Sequence, residues 1–451
     1  MPIYGEIFIV QIVEPKRPRQ HLDGVLQLKR LTSPFALVFT MKFRDLFAKN
    51  LIFGAFILLA APLVFGQRPV QKAPRQEKLL NGLRLIMIDV RTADKVSIRV
   101  RIHAGSAFDP QGKEGLMKLL AESLFPTAES REFFSEDLGG GVDVVSNYDY
   151  IQVNATAAPS EIARALEAVS TAVANPTIDK ETVARLKQER LAIIDKAEKD
   201  NRYLADNAVL ARLFGTFPYG RPELGTAASI QKIDFADLRF AKDRFFGADN
   251  ATVIISGNFD PDLAFRASRR YFGAWLKSDN KVPATFKQPD RPDTKLVEVG
   301  SAGGSGVYRF AFRGVSRADK DWAAAEVLSR IYSARLASAY QSAAVENRAR
   351  LLPGAIVITV ESADPVDPVA IARSLSTAVT EAEFAKARDE ASAFYLRTNP
   401  GDRWLDADTY KVGADEPAKA LQTVALADVQ RVSDRLLKNP LVSVVVRPAS
   451  K

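Results

Sequence analysis

From Leu79 onward the chain moves between two hydrophobic periods. Val96-Ser-Ile-Arg-Val-Arg-Ile-His alternates apolar and polar residues, the period of a half-buried strand. Val96, Ile98, Val100 and Ile102 share the core face, and Arg99, Arg101 and His103 fall on the other, where a lone histidine reads as a surface residue. Leu79-Leu-Asn-Gly-Leu-Arg-Leu-Ile-Met-Ile puts Asn-Gly between two apolar runs and predicts a hairpin. The three glycines after Leu138 lead into two more strands between Val142 and Ala155.

At Gly115–Phe125 the period becomes helical: Leu116, Leu119, Leu120 and Leu124 line one face, Lys118, Ala121, Glu122 and Phe125 the other, and Pro126 stops the helix. Further helices are predicted over Pro159–Ala174, Lys180–Lys199 and Ser229–Phe246, and from Asp260 onward. Pro218–Thr226 reads as a loop and Ala251–Gly257 as a buried strand. Lys277–Pro292, with three prolines and mixed charge, reads as a linker.

The pattern then repeats. At an offset of 191, Ile233–Ile255 and Val424–Val446 share Ala236/Ala427, Asp237/Asp428, Asp243/Asp434, Arg244/Arg435 and Val253/Val444, each segment running from a helix into an apolar strand. Ser170-Thr-Ala-Val recurs as Ser376-Thr-Ala-Val, both expected inside amphipathic helices. Two echoes in the same order predict an internal duplication. The expected domains are 79–277 and 294–449, joined by 278–293.

Composition narrows the chemistry. A chain of 451 residues, 47% hydrophobic, can bury a large core. It has no cysteine and two histidines, so thiolate chemistry and cysteine-based zinc sites are excluded. The net charge of +8 is half contributed by the first 66 residues, which hold eight basic and four acidic residues; the rest is too evenly mixed to argue for nucleic acid. Met41-Lys-Phe-Arg, the apolar run Leu51–Phe65 and the small residue Gly66 follow the order of a secretory signal. Residues 41–66 are therefore expected to be a signal peptide, 1–40 an overlong gene start and 67–78 an exposed leader. A secreted, periplasmic chain is expected, with a retained membrane anchor the alternative; after processing His103 is the sole histidine.

Leu79-Leu-Asn-Gly-Leu-Arg, Gly105-Ser-Ala-Phe-Asp-Pro, the Gly115–Phe125 helix, Leu138-Gly-Gly and Asn147-Tyr-Asp-Tyr stand in one order. With Pro218-Tyr-Gly-Arg-Pro-Glu-Leu-Gly-Thr and Phe245-Phe-Gly-Ala-Asp-Asn-Ala, they resemble the insulinase, pitrilysin and mitochondrial processing peptidase family of inverted zincins over about residues 79–449. The resemblance implies an α+β fold of two homologous halves, each a mostly antiparallel sheet covered by helices. In that family an H-x-x-E-H helix holds zinc and activates water. Its first histidine falls on Lys118, its glutamate on Ala121, its second histidine on Glu122 and the later glutamate ligand on Lys196. A protonated lysine has no lone pair for zinc and alanine takes no proton from water, so these positions are read as degenerate. Lys118 and Glu122 are expected to pair with each other, with Lys196 joining them.

The resemblance further implies a catalytically inactive subunit with no metal or other cofactor of its own. Zinc is expected only in an active H-x-x-E-H partner, with which this chain encloses an extended peptide. Val142–Ser146 is the candidate sheet edge for that peptide, Arg335, in Ser333-Ala-Arg-Leu, is the candidate substrate-binding residue, and Ile356 stands where a substrate-holding tyrosine is expected. The alternative is a structural or binding protein of the same fold, such as a homodimer with no peptidase partner.

Overall fold

The structure is a computed structural model that describes residues 73–278, 286–287, 289–301, 303 and 305–448. The expected gene start, signal peptide and residues 67–72 of the leader lie outside them. The described residues fall in a single compact unit.

Its first half runs β1 (Arg75–Lys78), β2 (Arg84–Asp89), β3 (Val96–Ile102), α1 (Leu116–Glu122), α2 (Ala128–Glu136), β4 (Gly141–Ser146), β5 (Ile151–Ala157) and α3 (Ile162–Ala174). It continues through α4 (Lys180–Ala197), α5 (Asn201–Phe214), α6 (Ala227–Lys232), α7 (Phe235–Phe245), β6 (Ala251–Gly257) and α8 (Pro261–Phe272). The second half runs β7 (Val297–Ser301), β8 (Gly306–Arg313), α9 (Trp322–Ala339), β9 (Ser342–Arg348), β10 (Ala355–Ser362) and α10 (Pro368–Ser376). It ends with α11 (Glu381–Arg397), α12 (Pro400–Tyr410), α13 (Glu416–Thr423), α14 (Leu426–Leu436) and β11 (Val442–Pro448).

Among the described residues the strands form two sheets, ordered β1-β2-β6-β3-β5-β4 and β7-β11-β8-β10-β9. Leaving out β1, the orders are the same strand for strand, and the one parallel pairing in each, β2 with β6 and β7 with β11, sits in the same place. The duplication is therefore carried by topology, and α7–β6 repeats as α14–β11 at the offset of 191. The second echo is only partly helical, because α10 stops at Ser376 and Thr377–Val379 lie beyond it.

Local chemistry corrects three boundaries. The hairpin's first strand is Arg75–Lys78, inside the expected leader, and Leu79–Leu83 form its turn, with Lys78 opposite Arg84. The expected helix Ser229–Phe246 is two helices, because Asp234 and Asp237 form a capping box that starts α7 afresh. Part of the expected linker is packed, with the Phe286 ring 5.8 Å from Phe108 and 6.0 Å from Phe217.

One face of the first sheet is the predicted core. Val96, Ile98, Val100 and Ile102 are fully buried against residues such as Leu119, Leu120, Val169 and Phe272 from α1, α3 and α8. The opposite face corrects the expectation that Arg99, Arg101 and His103 point to solvent, because α12 of the second half lies across it. Asp402 pairs with Arg99. Asp406 accepts from Arg101 at 2.7 Å, and Thr409 from the same guanidinium at 3.1 Å. His103 bridges the Thr409 and Thr252 hydroxyls at 3.1 and 3.0 Å. Ile86, Ile88 and Ile254 close around Leu405. In return, α5 of the first half crosses the second sheet, packing Ala205, Val209 and Leu213 against Val307, Val357 and Val444. Each half thus lends one helix to the other's sheet.

Arg101 is 2% exposed, with Gln152 at 2.7 Å and the Tyr150 ring 3.8 Å from its guanidinium carbon. Removing one member of a buried ion pair strands the other, a cost of about 3 kcal/mol. Arg101→Ala is therefore expected to lower unfolding free energy by about 3 kcal/mol in urea titration. A double-mutant cycle with Asp406→Ala should show strong coupling; additive losses would exclude the pair.

Candidate functional site

The candidate site is built around α1. Gly115 precedes the helix at φ +93°, where a Cβ would meet the Leu224 carbonyl oxygen at 2.9 Å. Gly225, at φ +79°, lets the 218–226 loop approach from the other side, a Cβ there lying 2.3 Å from the Glu114 carbonyl oxygen. The buried Asp109 carboxylate accepts from the Gly115 and Met117 amides at 2.7 and 2.8 Å and so starts the helix. Burial pushes Asp109 up to about 7, against the pull of those two amides. Arg221 donates to the carbonyl oxygens of Asp109 at 2.6 Å and Ala107 at 3.2 Å, and Ser229 donates to that of Glu114 at 2.8 Å. The Gly105–Pro110 and Pro218–Thr226 motifs are thus one assembly whose product is the position of α1.

The four degenerate positions are not arranged as expected. Lys118 and Glu122 do not pair; Glu122 is engaged by Arg190 of α4. Arg190 is 3% exposed on the stripe Val183, Leu186, Arg190, Ile194, whose spacing places all four on one face. An arginine inside an apolar stripe was the signal that could have found it. Lys196 lies off that stripe, exposed in the last turn of α4, and does not join the pair. Ala121 is buried at 3% and Phe125 at 4%, so the face opposite the leucines is packed, not solvated. Lys118 is partly buried, and burial lowers its pKa, reinforced by the Arg190 charge and opposed by Glu223.

Around this helix the two halves meet through charge. Arg350, from the second half, lies 3.6 Å from Glu223 and over the Tyr148 ring at 4.9 Å. Asp149 is 3% exposed, accepting from the Tyr219 hydroxyl at 3.0 Å and the Leu351 amide at 3.3 Å. Burial raises its pKa and the Arg350 charge opposes that rise. Asp206 pairs with Arg348 at 2.8 Å and Arg309 at 3.5 Å. An open cleft of about 370 Å³ lies elsewhere, lined by Lys78, Arg84, His103, Thr252, Asp408 and Lys411. There burial, then the charge of Lys411, holds His103 down at about 3, so its ring is neutral. Among the described residues no three His, Cys, Asp or Glu side chains are grouped to hold a metal ion.

β4, anticipated as a sheet edge, is one: it pairs only with β5. Arg335 corrects another expectation. Its Nε and Nη2 hold the Glu383 carboxylate at 2.7 and 3.0 Å, and its remaining donors hold the carbonyl oxygens of Ser374, Thr377 and Ala378 at 3.1, 2.9 and 3.0 Å. With five hydrogen bonds made inside the second half, it has no donor left for a peptide. Ile356 is buried in β10.

The fold is an α+β unit of two mixed sheets covered by helices. The chain belongs to the insulinase family of peptidases: residues 84–227 match its model "Insulinase (Peptidase family M16)" and 232–349 its model "Peptidase M16 inactive domain". It is 27% identical over 227 residues to an uncharacterized zinc protease of Mycobacterium tuberculosis, covering 49% of this chain and 51% of that protein. It is 22% identical over 218 residues to mitochondrial-processing peptidase subunit beta of Saccharomyces cerevisiae, 46% of each chain. The chain spans about half the length of the curated relatives it matches. A protease from Helicobacter pylori has the same fold, with a TM-score of 0.76 at 16% identity, covering 83% of this chain and 99% of that one.

Two outcomes are expected. Arg190→Ala strands Glu122 and should cost about 3 kcal/mol in denaturant titration, while Lys196→Ala should change nothing measurable. The Arg335 hydrogen bonds hold Glu383 at about 2, below its ordinary 4.5. A carboxylate depressed in the folded state stabilises fully above its unfolded pKa and loses that contribution as pH falls through the folded one. Stability should therefore drop between pH 4.5 and about 2 in the parent, and Arg335→Ala should flatten that limb while costing about 2 kcal/mol at neutral pH.

Proposed function

We propose that this chain is a non-catalytic subunit of a two-subunit zinc peptidase, forming part of the wall of a chamber whose metal belongs to its partner. The observation that carries the reading is the Glu122–Arg190 ion pair. A catalytic zinc takes three protein donors and a water. Here the first donor position is a lysine and the third an exposed lysine, Lys196. The second is a carboxylate already occupied by a guanidinium, and the base position is Ala121. That set does not fit zinc.

What the wall offers a peptide is backbone. β4 leaves one side of its ladder unpaired, and an extended segment can add there as a further strand. The relative in yeast is by name a subunit, which agrees with action in a complex. The order of basic, apolar and small residues over 41–66 supports export to the periplasm. Among the described residues no helix is long and apolar enough to cross a membrane.

The purified chain alone is expected to contain no stoichiometric zinc by metal analysis and to leave unstructured peptides uncut. Co-expressed with an H-x-x-E-H protein encoded beside it, it should co-purify and yield zinc-dependent cleavage. Stoichiometric zinc in the chain alone would overturn the reading of Lys118, Ala121 and Glu122. A stable homodimer that recruits no peptidase would overturn the chamber and leave a structural or binding protein.

A further inference from the structure

The turn between β1 and β2 carries Leu80 fully exposed, and just beyond α8 Leu276 is 80% exposed. They are neighbours by construction: the Asn81 side chain donates to the carbonyl oxygens of Phe272 at 2.7 Å and Trp275 at 2.9 Å. The Trp275 indole in turn donates to Phe246 at 2.7 Å, which anchors that loop to the core. Two leucines are therefore held outward on a rigid support, an arrangement whose unfavourable hydration calls for a cover.

The surrounding charge is mainly positive. Lys78, Arg269, Arg270 and Lys277 are exposed and have no carboxylate partner among the described residues. Three acids lie on this side: Asp249, against Gly82, accepts from the Ser278 amide at 2.8 Å, Asp260 caps α8 through the Asp262 and Leu263 amides, and Asp262 pairs with Arg75 at 2.7 Å. The chain also enters the described unit on this face, because Arg75 reaches both Asp262 and, at 4.7 Å, the Phe265 ring of α8. The apolar run Leu51–Phe65 ends ten residues before Arg75, so a retained run would lie within roughly 35 Å of Arg75 along the chain.

We propose that this face docks on an anionic phospholipid surface, with Leu80 and Leu276 entering the interface and Lys78, Arg269, Arg270 and Lys277 meeting the headgroups. The charge pattern selects the occupant: exposed leucines ringed by cations match an anionic bilayer, where each cation near the surface is worth roughly fivefold in partitioning. The proposal does not rest on the peptide-chamber reading.

The test uses the chain beginning at Gln67, which retains the whole compact unit but not the apolar run. It is co-sedimented with phosphatidylcholine vesicles with and without phosphatidylglycerol. Binding is expected only with phosphatidylglycerol present. It should weaken about tenfold or more in Arg269→Glu/Arg270→Glu and in molar salt, and severalfold in Leu80→Ser/Leu276→Ser. All four positions are exposed, and an unchanged melting temperature confirms that each variant is folded. Failure to bind anionic vesicles would overturn the proposal, and so would binding that ignores their composition. Binding that responds to salt and charge but not to the leucine pair would also overturn it, since a diffuse basic surface behaves that way.

Discussion

The reciprocal ion-pair seam between the two halves is the constraint on which the rest depends. Along one stretch the first half supplies arginines and the second supplies acids: Arg84 meets Asp408, Arg99 meets Asp402 and Arg101 meets Asp406. Along another the polarity reverses, and Asp206 and Glu223 of the first half meet Arg348, Arg309 and Arg350 of the second. Such charges are tolerable in a desolvated seam only when each meets its partner, so the pattern specifies one docking of the halves more than it adds stability. A half on its own would expose an arginine row on one sheet and an apolar strip on the other.

That seam also explains how α1 keeps its place. The helix is short, seven residues, and could not persist on propensity. It is held from below by its leucines, at its start by Asp109 and from the side by the 218–226 loop, whose Glu223 is in turn opposed by Arg350 across the seam. The Glu122–Arg190 pair then ties α1 to α4, the two helices that carry Lys118, Ala121, Glu122 and Lys196. An ion pair can do mechanically what a shared metal would do, which is to fix two helices against each other. It supplies no Lewis acid and no activated water.

How much of this was legible in the sequence follows from the range of each interaction. Alternation along β3 and the leucine face of α1 are written in a few consecutive residues and were readable. The duplication was readable because a helix and the strand after it keep one spacing in both halves. The exchange of α5 and α12 was not: Asp402, Asp406 and Thr409 look like any solvated helix face until a row of arginines is set against them. Arg75–Lys78 escaped because a four-residue charged strand has no apolar alternation to show. Arg335 misled because its neighbours in sequence match a motif, while the groups that consume its donors come from the end of α10, the residues just after it and Glu383 of α11.

His103 shows the same limit in one side chain. By period it belongs on an outward face, and by rarity it invites a metal or catalytic role. Its surroundings decide otherwise. A neutral imidazole has one donor and one acceptor, and its nitrogens lie 3.1 and 3.0 Å from the Thr409 and Thr252 hydroxyls, whose own protons go to the Leu405 carbonyl and the Asp408 carboxylate. Any cation at a ring nitrogen would have to displace a hydroxyl and enter the field of Lys411, Arg101 and Arg84, the same charges that oppose protonation of the ring. The ring is suited to bridging β3, β6 and α12 without charge, because a charged bridge there would add a further cation to a seam whose carboxylates are already taken by arginines.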